Sequence, residues 1–304
     1  MKILFVFLLL VGCSQTAKVP DGPVVPTTGR LPIETPPARS TVPVDTLKAG
    51  ELPRVGVILG PGGLKTAAHL GVLREFEKRR IPVHAIVGLE WGSLMGALYS
   101  HRASTNDMEW QIFKLKADNL PESGVLAGKL EPAPIKKMQS YFDLTLVEKT
   151  IDDGKTKFAC PAMTLAGGKM AWFESGRYQD AVKKCLPLAP LFEPQSSWVA
   201  AAFEVEEAAS KLRQMGAQIV IFVDVLARGI VLKESRYVQS EIQQSLWYGG
   251  IRRISIGARS VDWVVGVHGR NYDVGDWSGL RSFVVFGQEA GAKAAQMIAE
   301  KYGF

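Results

Sequence analysis

The chain has 304 residues, of which 47% are apolar and 22% charged, and a formal net charge of +6. This composition excludes a disordered chain and leaves enough apolar residues for one large core. The basic residues are scattered in short groups with no arginine–aromatic cluster. This pattern favours a mildly basic solvated surface over a nucleic-acid site. Attraction to anionic lipid headgroups ranks between these two interpretations.

The amino terminus has the pattern of a secretory signal. Lys2 precedes an apolar run, Ile3 to Val11, that is too short to span a membrane as a mature helix. The ending Leu10-Val11-Gly12-Cys13 resembles a bacterial lipobox, in which Cys13 is acylated and becomes the first residue. We therefore expect a signal peptide at 1–12 and a lipoprotein on the periplasmic side of the outer membrane, as Ser14 implies. The alternative is an ordinary buried cysteine after a chance apolar run.

Residues 13–50 are predicted to form a tether. Seven prolines lie between Ser14 and Gly50, and no strand or helix period is visible there. In an extended conformation, at about 3.1 Å per residue, the segment reaches on the order of 100 Å from the membrane. Residues 51–304 then form one folded domain.

Two βα units begin this domain. Arg54 to Leu59 is a short apolar strand that ends in a glycine turn, and a helix with Leu70, Leu73 and Phe76 on one face follows. The next strand is Ala85 to Val87, followed by a second helix. Right-handed crossovers then predict an α/β fold, with a mostly parallel central sheet and helices on both faces.

The rest of the domain gives fewer signals. We expect helices and loops from about 105 to 157, capping one end of the sheet. The pattern then predicts a helix at 206–215, strands at 218–225 and 261–267, and a terminal helix at 283–300.

A nucleophile elbow is predicted between the second strand and its helix. Gly88 and Gly92 flank a central residue that such a turn holds at strained backbone angles, ready for attack. That residue is Glu90, where a serine is expected. A carboxylate is a poor substitute for an alkoxide in acyl transfer.

The first glycine turn admits three interpretations. A phosphate loop needs glycine directly before Lys65, where Leu64 stands, and a dinucleotide fingerprint needs glycine at position 65 itself. Both therefore fail. The third is an oxyanion loop formed by Gly62, Gly63, Leu64 and Lys65, whose backbone N–H groups face developing negative charge.

These motifs together resemble the patatin-like family of lipid acyl hydrolases, over nearly all of residues 54 to 300. The resemblance rests on the glycine loop with His69-Leu70-Gly71-Val72-Leu73, the elbow with Gly96-Ala97-Leu98-Tyr99, and the later Gly216-Ala217-Gln218-Ile219-Val220-Ile221. It implies a three-layer sandwich, lipid acyl hydrolysis without a cofactor, and a Ser–Asp dyad.

Neither dyad residue carries over to this chain. The serine position is Glu90, and counting back from Gly216 places the aspartate position at Ala200, within Ala200-Ala201-Ala202. A dyad acts as a unit, so the resemblance predicts a pseudoenzyme that binds lipid or acyl chains, or that contacts envelope proteins. The rival hypothesis is an active hydrolase that uses Glu90 or Ser93 as nucleophile.

The remaining candidates concern local roles. We expect Glu90 to accept the N–H groups of the oxyanion loop and to stay ionised. Ser93 is interpreted as an amino-terminal helix cap and His69 as packing or hydrogen bonding below the loop. No histidine or cysteine pair has metal-ligand spacing. Cys160 and Cys185 form a disulfide or remain two buried thiols, and the sequence leaves both open.

Overall fold

A computed structural model describes residues 52–120, 132–188, 191–226, 241–269, 275 and 277–304. The predicted signal peptide, Cys13 and the tether lie outside the described residues, and so do residues 121–131 of the segment predicted to hold helices and loops.

A mixed, mostly parallel sheet forms the centre of the fold. Its strand order is β4-β3-β2-β1-β6-β7, and β5 also pairs with β3. The four pairings β2–β3, β1–β2, β1–β6 and β6–β7 are parallel, whereas β4 and β5 run antiparallel to β3. The strands are β1 Val55–Leu59, β2 Val83–Gly88, β3 Lys157–Thr164, β4 Met170–Phe173, β5 Trp198–Ala200, β6 Ile219–Asp224 and β7 Trp263–Gly266.

Helices cover both faces of this sheet. The α-helices are α1 Ala68–Lys78, α2 Trp91–Ser100, α3 Thr105–Ile112, α4 Gln139–Thr145, α5 Tyr178–Cys185, α6 Val205–Gln214, α7 Glu241–Gly257 and α8 Leu280–Tyr302. Successive strand residues point to opposite faces, so Val57 packs with α1, α2 and α8, while Ile58 packs with α6 and α7. The predicted α/β fold with helices on both faces is confirmed.

Helices α1 and α8 pack closely because glycines line their contact. A Cβ built on Gly287 would lie 1.9 Å from the carbonyl oxygen of Ala68, and one on Gly71 would lie 2.2 Å from that of Val284. No side chain fits in this space. The glycines therefore allow α8 to cover the helix that follows the oxyanion loop.

The predicted elements agree with the structure best in the first two βα units and at β6, α6, β7 and α8, within a few residues. Of the helices predicted from about 105 to 157, α3 packs against α1 and α2, and the placement of this segment at one end of the sheet stays a prediction. Strands β3, β4 and β5 and helices α5 and α7 were not predicted.

The two internal cysteines form a disulfide that joins β3 to α5. The Cα atoms of Cys160 and Cys185 lie 6.0 Å apart, and both residues are fully buried. Of the two alternatives left open by the sequence, the structure contains the disulfide.

Candidate functional site

The elbow predicted around Glu90 is present between β2 and α2. Glu90 has φ 53° and ψ −123°, a conformation that non-glycine residues rarely adopt. A Cβ on Gly92 would lie 2.1 Å from the carbonyl oxygen of Leu59, and one on Gly88 would lie 2.4 Å from that of Gly92. Gly92 is thus required for the turn to approach β1, and Gly88 for the end of β2 to lie against the start of α2.

The Glu90 side chain points into the oxyanion loop. Its Oε2 accepts hydrogen bonds from the backbone N–H of Gly62 at 2.9 Å and of Gly63 at 3.1 Å. Gly62 has φ 154° and Gly63 has φ 56°, so the loop depends on glycine conformations to present both N–H groups in one direction. Glu90 is only 1% exposed. The two donors expected to stabilise an oxyanion therefore bind a side chain of the same protein.

Burial controls the charge of this carboxyl group. It raises the pKa of Glu90 from 4.5 to about 7, although the N–H groups of Gly62, Trp91 and Gly63 act in the opposite direction. At neutral pH, protonated and ionised forms are therefore present in similar amounts. The expectation that Glu90 stays ionised remains a prediction, which removal from water opposes and the three N–H donors favour.

Polar groups beneath the oxyanion loop hold its backbone in place. The Nε2–H of His69 donates to the carbonyl oxygen of Gly60 at 2.9 Å, and the Thr66 hydroxyl donates to that of Gly63 at 2.6 Å. Burial lowers the pKa of His69 to about 4, so the ring is neutral. Of the two roles predicted for His69, packing and hydrogen bonding below the loop, the hydrogen bond is present.

The other two oxyanion-loop candidates are also buried. Leu64 and Lys65 lie in a short 3₁₀ helix, Gly63–Ala67, that leads into α1. The Lys65 ammonium donates to the carbonyl oxygen of Gly269 at 3.3 Å. Lys65 therefore connects the loop to the segment after β7.

Ser93 does not act as the predicted helix cap. The cap position of α2 is Glu90, and Ser93 is the third residue of the helix. Its side chain is fully buried, and its hydroxyl has no hydrogen-bond partner among the described residues. Since no base contacts this hydroxyl, the geometry does not activate it as a nucleophile.

The strand register places Ala200 at the same end of the sheet as the elbow. β2 pairs with β3 at Val87 and Ala159, and Glu90 lies three residues beyond Val87. Ala162 lies three residues beyond Ala159 and pairs with Ala200. Because β4 occupies the other edge of β3, β5 lies on the edge that β2 uses. The segment predicted to replace the aspartate loop thus continues past the end of β2, with a buried methyl group at position 200.

Two contributions to the site were not predicted from the sequence. The Trp91 N–H is a third donor that lowers the pKa of Glu90, and the Thr66 hydroxyl supports the loop. The first has a sequence signal, because Trp91 is the first residue after a strand-to-helix turn, where N–H groups are unpaired.

Within the described ranges, no cluster of potential ligands suits a metal ion, and no helix is long and apolar enough to cross a bilayer.

The parallel sheet, the elbow after β2 and the glycine loop after β1 define the class of α/β acyl hydrolase folds that use an elbow and an oxyanion loop. Residues 57–213 match the family described as patatin-like phospholipase. The chain belongs to this family.

Individual relatives are distant. The chain is 27% identical over 210 residues to a patatin-like phospholipase domain-containing protein of Caenorhabditis elegans, covering 64% of this chain and 15% of that protein. It is 26% identical over 180 residues to lysophospholipase nte1 of Aspergillus fumigatus, covering 56% and 12%. The chain thus spans less than a fifth of the length of these curated relatives.

A solved structure shows the same fold. VipD from Legionella pneumophila superimposes with a TM-score of 0.52 at 9% identity, covering 83% of this chain and 67% of that one. At this identity the similarity concerns the fold alone.

Proposed function

We propose that this chain is a non-catalytic patatin-like protein that binds lipid or acyl chains. The observation that supports this proposal most directly is the contact between the Glu90 carboxyl group and the N–H groups of Gly62 and Gly63. In an acyl hydrolase these donors stabilise the oxyanion of the intermediate, and one such donor contributes on the order of 3 kcal/mol. Here a side chain of the protein uses them.

The loss of catalysis follows from three defects at two positions. The elbow presents a carboxyl group where the family has its serine, Ala200 supplies no base, and the oxyanion donors are taken. Serine at position 90 would restore the nucleophile and free the Gly62 and Gly63 donors but leave no base, whereas aspartate at position 200 alone would leave both defects caused by Glu90. A nucleophile and its base act as a unit, so the residual rate is expected to be close to that of water.

The proposed location is the periplasmic side of the outer membrane. It rests on the lipobox-like sequence that ends at Cys13 and on the proline-rich segment that follows. Acylation of Cys13 would tether the domain near its lipid ligand. Envelope proteins are a second class of proposed partner, for a protein that acts as a scaffold.

The rival function is hydrolysis with Glu90 or Ser93 as nucleophile. The purified full-length protein is assayed with a chromogenic short-chain ester, beside Glu90→Gln and Ser93→Ala. Ser100→Ala is the matched control, because Ser100 is another fully buried α2 serine whose hydroxyl has no partner among the described residues. We expect no turnover by the unmodified chain. Turnover that Glu90→Gln or Ser93→Ala abolishes and Ser100→Ala retains would establish the rival.

The binding function has a separate test. Lipids that co-purify with the protein are extracted and identified by mass spectrometry. We expect a stoichiometric acyl-chain lipid. A lipid-free protein that also fails to bind a labelled fatty acid would contradict the proposed ligand class and favour the scaffold.

A further inference from the structure

An exposed aromatic surface lies where the end of α3 meets the start of α8. Trp110 is 69% exposed and Phe113 36%, although large aromatic side chains are usually buried. Val285 on α8 is 48% exposed. Together with Lys114 and Arg281, these residues are called the Trp110 surface.

A basic side chain lies over each aromatic ring of the Trp110 surface. The Lys114 ammonium lies 5.5 Å from the centre of the Trp110 ring, and the Arg281 guanidinium lies 5.0 Å from that of Phe113. The second contact joins α3 to α8. Aromatic rings beside basic side chains are typical of proteins that lie at the membrane–water interface, where rings enter the headgroup layer and cations meet phosphates.

The helix directions place this surface at the same end of the domain as the elbow. α3 runs antiparallel to α1, because Thr105 binds Glu77 and Glu109 pairs with Arg74 at 2.8 Å. The carboxyl end of α3, with Trp110, therefore points toward the start of α1.

α8 runs parallel to α1, since Gly287 contacts Ala68 and Gly291 contacts Val72. Its first turns, with Arg281 and Val285, thus lie beside the start of α1, which follows Gly62 and Gly63 directly. The elbow, the oxyanion loop and the Trp110 surface share one end of the domain.

We infer that the Trp110 surface docks on a bilayer with anionic headgroups, which presents the elbow end of the domain to lipid. The net charge of +6 and the two ring-bound cations complement such a bilayer. The acidic Glu109 is paired with Arg74, and the exposed Glu289 lies one turn further from the elbow end than Val285. The choice of lipid as occupant rests on the proposed function, whereas the surface itself does not.

Vesicle flotation tests the inference. The full-length chain carrying Cys13→Ser, which cannot be acylated, is mixed with vesicles of phosphatidylcholine alone or with phosphatidylglycerol added. Trp110→Ala and the double variant Lys114→Gln/Arg281→Gln are compared in this background. Met297→Ala is the matched control, because Met297 is an exposed apolar residue (41%) on the same helix, well away from the elbow end.

We expect the unsubstituted surface to bind phosphatidylglycerol vesicles in a salt-sensitive manner. The double variant is expected to weaken this binding on the order of 30-fold, since each of its two basic residues near an anionic surface contributes about 1 kcal/mol. Trp110→Ala is expected to weaken it on the order of tenfold, because it removes the aromatic ring that enters the headgroup layer. Met297→Ala is expected to bind as the parent does. All proteins keep the same amino-terminal segment, so a difference between them belongs to the substituted surface.

Equal binding of the parent and both test variants would overturn the inference, as would an equal loss in Met297→Ala. A dimer that Trp110→Ala dissociates, with vesicle binding unchanged, would also overturn it and assign the surface to a second copy of the chain. None of these outcomes depends on ester turnover. Failure of the inference is thus distinguishable from failure of the proposed function.

Discussion

Replacing Glu90 with glutamine should change how stability depends on pH. Burial raises the pKa of Glu90 from 4.5 in a model peptide to about 7 in the folded protein. A difference of about 2.5 pKa units corresponds to roughly 3 kcal/mol, at about 1.4 kcal/mol per unit. Because the folded pKa is the higher one, the folded protein binds the proton more tightly. This contribution is complete below pH 4.5 and is lost as the pH rises through 7.

The assay is urea unfolding of the full-length protein, followed by circular dichroism between pH 4.5 and 8.5. Relative to Glu90→Gln, the wild-type free energy of unfolding should fall by about 3 kcal/mol across this range. His69 acts with the opposite sign, because its folded pKa of about 4 lies below the unfolded value of 6.5. Its contribution is common to both proteins and cancels in their difference.

The glutamine variant keeps an acceptor for Gly62 and Gly63, and its added N–H₂ group has an effect that does not depend on pH. Glu193→Gln, at an exposed position, is the control for replacing a carboxyl group by an amide. A flat difference for Glu90→Gln would refute the reasoning, since it would mean that the buried carboxyl group titrates alike in both states.

Three further predictions concern the site and its supports. Glu90→Ser alone should remain nearly inactive on a chromogenic ester, and adding Ala200→Asp should raise kcat on the order of 100-fold, as a general base does; equal rates would show that position 200 does not face the elbow. Gly287→Ala should lower the free energy of unfolding by about 2–3 kcal/mol, because its Cβ would overlap the Ala68 backbone. Gly249→Ala is the control: nothing lies within 4 Å of the added Cβ, so this variant should not destabilise the protein. Reducing the disulfide between β3 and α5, whose cysteines are 25 residues apart, should cost about 3 kcal/mol in urea unfolding, and an unchanged midpoint would contradict a stabilising role.

The sequence predicts the elbow and the oxyanion loop well because their signals are local. Glycines at fixed spacing and short apolar runs report turns and buried strands without knowledge of distant contacts. Strand β3 was missed because Pro161 lies inside it, and proline normally argues against a strand paired on both edges. Its partners β4 and β5 are only four and three residues long.

Other properties of the site depend on tertiary structure. The pKa of Glu90 is set by how completely the surrounding helices exclude water, and no local pattern encodes that. The position of Ala200 relative to the elbow follows from the pairing of β5 with β3, which joins residues far apart in the chain. The cap assigned to Ser93 was wrong because the elbow residue itself occupies the cap position.

The tethered carboxyl group of Glu90 is an intramolecular competitor for any acid that enters from outside. A group attached a few bonds from its donors has an effective concentration that free fatty acids do not approach in solution. Under the proposed function, an acyl-chain ligand would gain its affinity from its hydrocarbon tail, and its head would remain outside the Gly62–Gly63 amides. Binding constants should accordingly rise with chain length and respond weakly to whether the head is an acid, an alcohol or an ester.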